Sequence, residues 1–189
     1  MIDRKSMASQ VPILRAQIRS LRIQANIAFD LHSNGSKNDR IGHALTSIML
    51  AGFALELSLK QFFMTYHSTV PREHDLYKLF ALLPPKMRDD ISRTYAASTF
   101  ERPELMAIAL RLSTHSPNPP RNVPASDYDT AEEVVRCAAN AFTKSRYFFE
   151  EITNEGWTTI DFAVPYMLAL SETFDVVFDG YKKAGRWSN

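Results

Sequence analysis

The stretch "IGHALTSIMLAGFALELSLKQFF", residues 41–63, decides the fold class, because its apolar residues recur at intervals of three and four. The repeat passes through Ile41, Leu45, Ile48, Gly52, Leu55 and Leu59. This spacing lines one face of an α-helix and does not fit the alternation typical of a strand. It predicts a long helix from about Asn38 to Tyr66, whose small residues would let a second helix approach closely.

The same periodicity on both sides of this helix predicts an all-α fold. A helix over residues 8–34 stops before Gly35, and a C-terminal helix covers residues 160–184. We expect an up-and-down bundle of four to five core helices with additional short helices. The length fits a single domain over 1–189, with a core at about 38–156 and the two terminal helices packed on it.

Shorter segments between the long helices also have helical spacing. They are a short helix that begins at 74–75 and stops at Pro84-Pro85, two segments over 86–96 and 102–113, and a long helix that begins after Thr130 and ends near Glu155-Gly156. Asp75 stands at the N-cap of the first, and Thr130 with Glu133 has the spacing of a capping box. The proline-rich stretch at 114–129 is the one long loop, and its Arg121 is a candidate contact with a partner. A surface connector is the favoured interpretation of that loop.

Composition excludes several classes of protein. The 22 Lys and Arg residues against 21 Asp and Glu give a net charge of +1, which argues against nucleic-acid binding through overall charge but leaves a local basic patch open. The single Cys137 excludes an intramolecular disulfide and a thiolate metal cluster. We see no signal peptide and no run of 18 uncharged apolar residues, so we expect a cytoplasmic protein without a membrane span.

A basic stripe lies along the first predicted helix. Arg15, Arg19 and Arg22 fall opposite its apolar positions, so they would either contact phosphate or form a solvated face. The solvated face is the favoured interpretation.

Familiar catalytic and metal-binding motifs are missing from the sequence. It contains no Gly-rich phosphate loop, no HExxH pair and no GxSxG elbow. We therefore expect no metal and no cofactor, and the residues favour a protein that is not an enzyme.

Three polar stretches remain as candidates for a site: "ALELSLKQFF", "EHDLYKLF" and "FTKSRYFFEE". Their candidate residues are Glu56 and Lys60, then His74 and Asp75, then Arg146, Tyr147 and Glu150. The helical phase turns Glu56 toward the core, and a buried charge needs a partner. The simplest arrangement is one polar network, made of Glu56, Lys60, His74, Arg146 and Glu150.

These stretches, in this order, are similar to motifs of the HEPN superfamily of small helical-bundle proteins. The matching segments are "ALELSLK" at 54–60, "HDLYKLF" at 74–80 and "RYFFE" at 146–150, within a resemblance that spans about 41–155. The resemblance implies a helical core of four or five helices, a homodimer, and contact with nucleotide or RNA. It also implies a prokaryotic stress, toxin–antitoxin or phage-defence setting. The signature of the RNase members, Arg followed after four to six residues by His, is absent from this sequence.

The sequence therefore supports a non-catalytic, dimerising HEPN-like module that binds a nucleotide, an RNA or a companion protein. A second hypothesis is an RNA-cleaving or nucleotide-transferring enzyme, with His74 as acid–base group and Arg146 or Arg121 as phosphate clamp. A third is a structural helical scaffold, in which the polar network only fixes packing. Whether segments 41–66 and 130–155 pack as neighbours is the first structural test of the network.

Overall fold

The computed structural model describes helices and one short β-ribbon. It covers residues 4–66, 69–100, 110–113, 128–145, 147–148 and 159–185. The helices are α1 (Arg4–Asn34), α2 (Lys37–Tyr66), α3 (Leu76–Ala81), α4 (Pro85–Phe100), α5 (Ala131–Cys137) and α6 (Val164–Lys183). The strands are β1 (Leu110–Ser113) and β2 (Thr159–Phe162). The predicted all-α helical bundle is confirmed.

Helix α2 lies at the centre of the bundle. Among the described elements, α1 makes the most extensive contact with α2. A tight turn at Gly35 and Ser36 separates the two helices, and other sides of α2 contact α3 and α6. Apolar residues of α2 are buried at the predicted intervals, including Ile48, Leu55 and Leu59. Removal of such side chains from water is the main driving force for packing a helix at the centre of a bundle.

The core between α2 and α6 contains an aromatic cluster. The Phe62 ring meets the rings of Phe174 and Phe178 edge to face, at centroid distances of 5.9 and 5.6 Å. Phe80 of α3 lies 6.5 Å from Phe174. These contacts fix the position of α6 and of the short helix α3 relative to α2, because offset and edge-on aromatic pairs prefer defined geometries.

One predicted helical segment contains a strand instead. Residues 110–113, at the end of the segment predicted as a helix over 102–113, form β1. This strand pairs antiparallel with β2, with Leu110 opposite Phe162 and Ser113 opposite Thr159. The prediction for 110–113 was wrong because four residues are too few to separate helical from strand periodicity, and the pairing strand lies far along the chain. The same ribbon delays the start of α6 to Val164.

The predicted solvated face at Arg15 and Arg22 is wrong, because both side chains form ion pairs with α6. Arg15 donates to both carboxylate oxygens of Asp179, at 2.5 and 2.9 Å, and Arg22 Nη2 lies 2.6 Å from Asp175 Oδ2. The hydrogen bond from Arg15 lowers the pKa of the Asp179 carboxyl. Only Arg19 of the stripe is exposed. The sequence could not show this, because the acidic partners lie more than 150 residues away.

Two of the predicted helix caps are present. The Asp75 carboxylate accepts the backbone N–H of Lys78 at the start of α3, as an N-cap does. Thr130 and Glu133 form the reciprocal hydrogen bonds of a capping box at the start of α5. Just before this helix, the carbonyl of Tyr128 accepts a hydrogen bond of 3.0 Å from the buried Tyr95 hydroxyl, and burial raises the pKa of Tyr95.

The prediction of one long helix after Thr130 was wrong, because α5 ends at Cys137 and a turn covers 138–140, where the Ala139 carbonyl accepts the N–H of Leu76 from a distant segment.

One stretch of the described residues, Asp39–Tyr66 within α2, is long and apolar enough to cross a membrane. Half of its most apolar window is buried inside the protein. Helices at the centre of a bundle have the same length and composition, so this property does not by itself indicate a membrane protein. The absence of a membrane span stays a prediction.

Gly52 marks a close approach between α2 and the segment that follows α5. A Cβ atom built on Gly52 would lie 3.0 Å from the backbone nitrogen of Phe142 and 3.1 Å from Ala141 Cβ. Next to it, the rings of Phe53 and Phe142 are 5.4 Å apart. Segments 41–66 and the described part of 130–155 therefore pack as neighbours, which is the arrangement that the predicted network requires.

Leucine substitutions at Gly52 and at Gly42 distinguish the effect of this close approach on stability from the effect of helix propensity. A Cβ built on Gly42, in the same helix, has no atom within 4 Å. We expect Gly42→Leu to raise the free energy of unfolding by about 0.8 kcal/mol, because leucine favours helix more than glycine does. Gly52→Leu should lower it by about 1–3 kcal/mol through overpacking. Urea unfolding followed by circular dichroism measures both, and equal changes would contradict the close approach.

Candidate functional site

Glu56 is a charged residue inside the central helix. It is 3% exposed, as its helical phase predicted. Lys60 lies one turn further along α2, and its Nζ is 2.7 Å from Glu56 Oε1. The Lys60 side chain is 12% exposed, so this ion pair is largely shielded from water. Burying a carboxylate costs free energy unless it is paired and hydrogen-bonded, and Lys60 supplies the first partner.

His74 supplies the second partner from outside the helix. Its Nδ1 lies 3.0 Å from the same Glu56 oxygen, Oε1. An ionised carboxylate only accepts hydrogen bonds, so the Nδ1–H donates. The His74 side chain is 64% exposed, and its Nε2 has no hydrogen-bond partner among the residues that the structure describes. The ring is thus held at one nitrogen and open to solvent around the other.

The backbone that carries His74 is fixed by an acidic residue that the sequence did not single out. Glu73 Oε1 accepts the backbone N–H groups of His74 and Asp75, at 2.9 and 3.0 Å. The hydrogen bond from the Asp75 N–H, followed by that from His74, lowers the pKa of Glu73. Its only sequence signal was its place directly before a predicted helix start, where acidic side chains often bind free N–H groups.

Helix α3 is anchored at the same place. The Leu76 N–H donates to the carbonyl of Ala139, at 3.1 Å, so the start of α3 is tied to the turn after α5. Asp75 is occupied as the N-cap, with Lys78 Nζ 3.7 Å from Oδ2. Asp75 therefore acts on the helix start, and nothing places its carboxylate in contact with Glu56.

We call Glu56, Lys60 and His74 the α2–α3 polar cluster. The structure brings these three members of the predicted network together. The second carboxylate oxygen of Glu56, Oε2, is buried and has no hydrogen-bond partner within the described ranges. Tyr147 is described and exposed, whereas Arg146, Glu150 and Arg121 lie outside the described residues. Their predicted roles stay predictions.

The cluster has the chemistry of an oriented imidazole. A buried carboxylate that accepts from Nδ1 fixes the ring tautomer and orientation, and it leaves Nε2 free to meet a ligand or to exchange a proton. In the part of the chain that the structure describes, no group of three or more His, Cys, Asp or Glu side chains has the arrangement of a metal site.

Comparisons with protein-family models, with curated proteins and with solved structures found no match for this chain. The HEPN resemblance therefore rests on the three sequence stretches alone.

A double-mutant cycle on Glu56 and Lys60 tests whether the pair is energetically coupled. Each of Glu56→Gln and Lys60→Met leaves one largely buried polar group without its charge partner, so each should lower the free energy of unfolding by about 2 kcal/mol. The double variant should lose at least about 1 kcal/mol less than the sum of the two. Chemical unfolding at neutral pH gives all four values.

The ion pair of Asp90 with Arg93, whose side chain is 76% exposed, provides the control. Arg93→Met should change stability by less than about 1 kcal/mol, because surface ion pairs contribute little. A coupling between Glu56 and Lys60 near zero would show that the two charges do not depend on each other.

Proposed function

We propose that this chain is a non-catalytic, dimerising HEPN-like module whose α2–α3 polar cluster binds a phosphate-bearing ligand, either a nucleotide or an RNA. One observation carries the proposal. His74 is oriented by the buried Glu56 carboxylate at 3.0 Å, yet most of its side chain faces solvent. A stability role alone does not require the imidazole to be so exposed.

The charges around His74 favour an anionic ligand. The carboxylates of Glu73 and Asp75 are engaged by backbone N–H groups, which spreads their negative charge into the helix start. Arg72 and Lys78 are exposed on either side of His74 along the chain. Lys78 Nζ lies 3.9 Å from Glu73 Oε2 and 3.7 Å from Asp75 Oδ2, whereas Arg72 forms no ion pair with another described residue. Arg72 is therefore the cation beside His74 with its charge open to a ligand, and cations that face solvent are the usual sequence-independent contacts to phosphate.

Binding measurements with ATP and with a mixed-sequence single-stranded RNA test the ligand class. We expect the better of the two probes to bind the wild type, and His74→Ala or Arg72→Ala to weaken binding about fivefold or more. Raising the salt concentration should weaken binding further. Lys86→Ala, an exposed lysine at the start of α4, is the matched control and should stay within about twofold of wild type.

Mass spectrometry of the molecules that co-purify with the native protein distinguishes the remaining possibilities. A bound nucleotide or RNA supports the proposal. A stoichiometric companion protein without nucleotide or RNA would replace phosphate binding by protein binding. If neither probe binds, and His74→Ala changes only stability, the cluster only fixes the packing of α2 and α3. The protein would then be a structural scaffold.

The geometry of His74 also favours a second candidate function, an RNA-cleaving enzyme. A carboxylate bound to one imidazole nitrogen is the arrangement of a general base. His74 would remove the proton of a ribose 2′-hydroxyl, whose oxygen attacks the adjacent phosphorus and displaces the 5′-oxygen, which takes a proton from water. Imidazole titrates near neutral pH, so it suits this step.

Incubation of the purified protein with end-labelled RNA tests cleavage. If His74 is the base, His74→Ala should abolish cleavage, and Glu56→Gln should reduce it at least about tenfold because the imidazolium that forms loses the carboxylate charge that stabilises it. Products should end in a cyclic phosphate. Intact RNA after prolonged incubation with wild-type protein, or equal cleavage by His74→Ala, would rule out this enzyme.

A further inference from the structure

The face of α1 that points away from α2 is apolar. Large aliphatic side chains there are exposed: Ile13 by 71%, Ile23 by 61%, Ile27 by 53% and Leu31 by 46%. The small residues Ala16 and Ser20 continue the same face and are also exposed. Isolated exposed aliphatic residues are ordinary, but a continuous stripe on one helix indicates an interaction surface.

The stripe continues into a groove beside it. Ile23 and Ile27 line a groove of about 460 Å³ between α1 and α6, together with Pro165 and Leu168 of α6. The groove is also lined by polar side chains, Arg19, Arg22, Asn26 and Glu172, so the apolar surface widens on one side of it only. It lies on the side of the molecule opposite to the contact between α1 and α2, where Ala25 is fully buried.

Two unpaired charges border the stripe on the same side. Arg19 and Asp30 are both exposed, and neither forms an ion pair with another described residue. They are eleven residues apart, which is about three turns, so they lie within about 20° of each other around the helix. A single helix face therefore carries an apolar stripe with one positive and one negative charge along one edge.

We propose that this face of α1 is the interface between two copies of the chain, packed with their α1 helices antiparallel about a two-fold axis near residues 24 and 25. The proposal rests on the dimerising module proposed above and specifies its contact surface. In such a pair, the edge of the stripe that carries Arg19 and Asp30 lies beside the same edge of the other copy. Arg19 of each copy then lies opposite Asp30 of the other.

The apolar residues fit the same alignment. With the axis between residues 24 and 25, Ile23 of one copy lies within about 1.5 Å along the helix of the level of Ile27 of the other, and Ser20 within about 3 Å of the level of Leu31. The small Ser20 leaves room for the larger Leu31, so both layers can close. In a parallel pair, the edge that carries Arg19 and Asp30 would lie against the opposite edge of the other copy. That edge carries Gln17 and Gln24, which have no charge to pair with Arg19. Charge complementarity therefore selects the antiparallel pair of identical copies.

A charge exchange tests the interface directly. Sedimentation equilibrium should show a dimer for the wild type at about 100 µM. Arg19→Asp places two acidic groups opposite each other, as Asp30→Arg does with two basic groups, and each should weaken dimerisation about tenfold. The double variant Arg19→Asp/Asp30→Arg should return to within about threefold of wild type. Failure of the double variant to recover would overturn the antiparallel pairing.

Cysteine cross-linking tests the axis. In a Cys137→Ala background, Gln24→Cys places thiols of two copies beside the axis, so mild oxidation should link them into a covalent dimer. Gln17→Cys lies on the same edge of the helix, but its thiols would be about 22 Å apart in the antiparallel pair. It should stay unlinked. Equal cross-linking at both positions would contradict an axis near residues 24 and 25 and overturn the proposal.

Ile23→Glu provides a dimerisation variant that should stay folded, because the side chain is exposed. We expect it to be monomeric, with unchanged helical content by circular dichroism. Val176→Glu changes an equally exposed residue, 61%, on α6 and should stay dimeric. A wild-type protein that is monomeric at about 100 µM, or a dimer unaffected by Ile23→Glu, would refute the interface.

The two proposals fail in different ways. ATP and RNA binding by the Ile23→Glu monomer tests the α2–α3 polar cluster without the interface. Retained binding together with a monomeric wild type would leave phosphate binding standing and refute dimerisation through α1. A dimer that recovers in the charge-exchange experiment but binds neither probe would refute phosphate binding and support the interface.

Discussion

The carboxylate of Glu56 has to be neutralised inside the central helix, and this requirement links the parts of the site. Lys60 comes from the same helix and needs only the right spacing. His74 comes from the chain that follows, so the path between α2 and α3 must bring it back to the middle of α2. Glu73 fixes that path through two backbone N–H groups. The link from Leu76 to Ala139 then ties the same point to the turn after α5.

The packing around α2 is divided into apolar and polar parts. Apolar side chains and the aromatic cluster of Phe62, Phe174 and Phe178 hold α2 against α6. The close approach at Gly52 brings in the segment at Ala141 and Phe142 without a side chain between the backbones. Among the described residues of α2, Glu56 is the one buried carboxylate, and it holds an imidazole at the surface. The proposed ligand binding rests on this fixed, exposed imidazole.

Local sequence patterns correctly predicted the features that depend only on residues close together in the chain. The three-and-four spacing gave α2 within one residue at its start, and the capping residues Asp75 and Thr130 were identified correctly. The inward phase of Glu56 and its pairing with Lys60 also follow from helical geometry alone. The strand at 110–113 and the ion pairs of Arg15 and Arg22 with α6 did not follow. Each depends on a partner distant in sequence, and local periodicity contains no information about it.

The ion pairs between α1 and α6 differ in how far water and salt reach them. Helix α1 is held to α2 by apolar packing and to α6 by charges, through Arg15 with Asp179 and Arg22 with Asp175. Asp179 is 45% exposed, whereas the Arg22 and Asp175 side chains are each 13% exposed, and salt screens buried pairs least. The contact of α1 with α6 at Arg15 is therefore the part that responds to ionic strength, and the contact at Arg22, beside the groove, responds less.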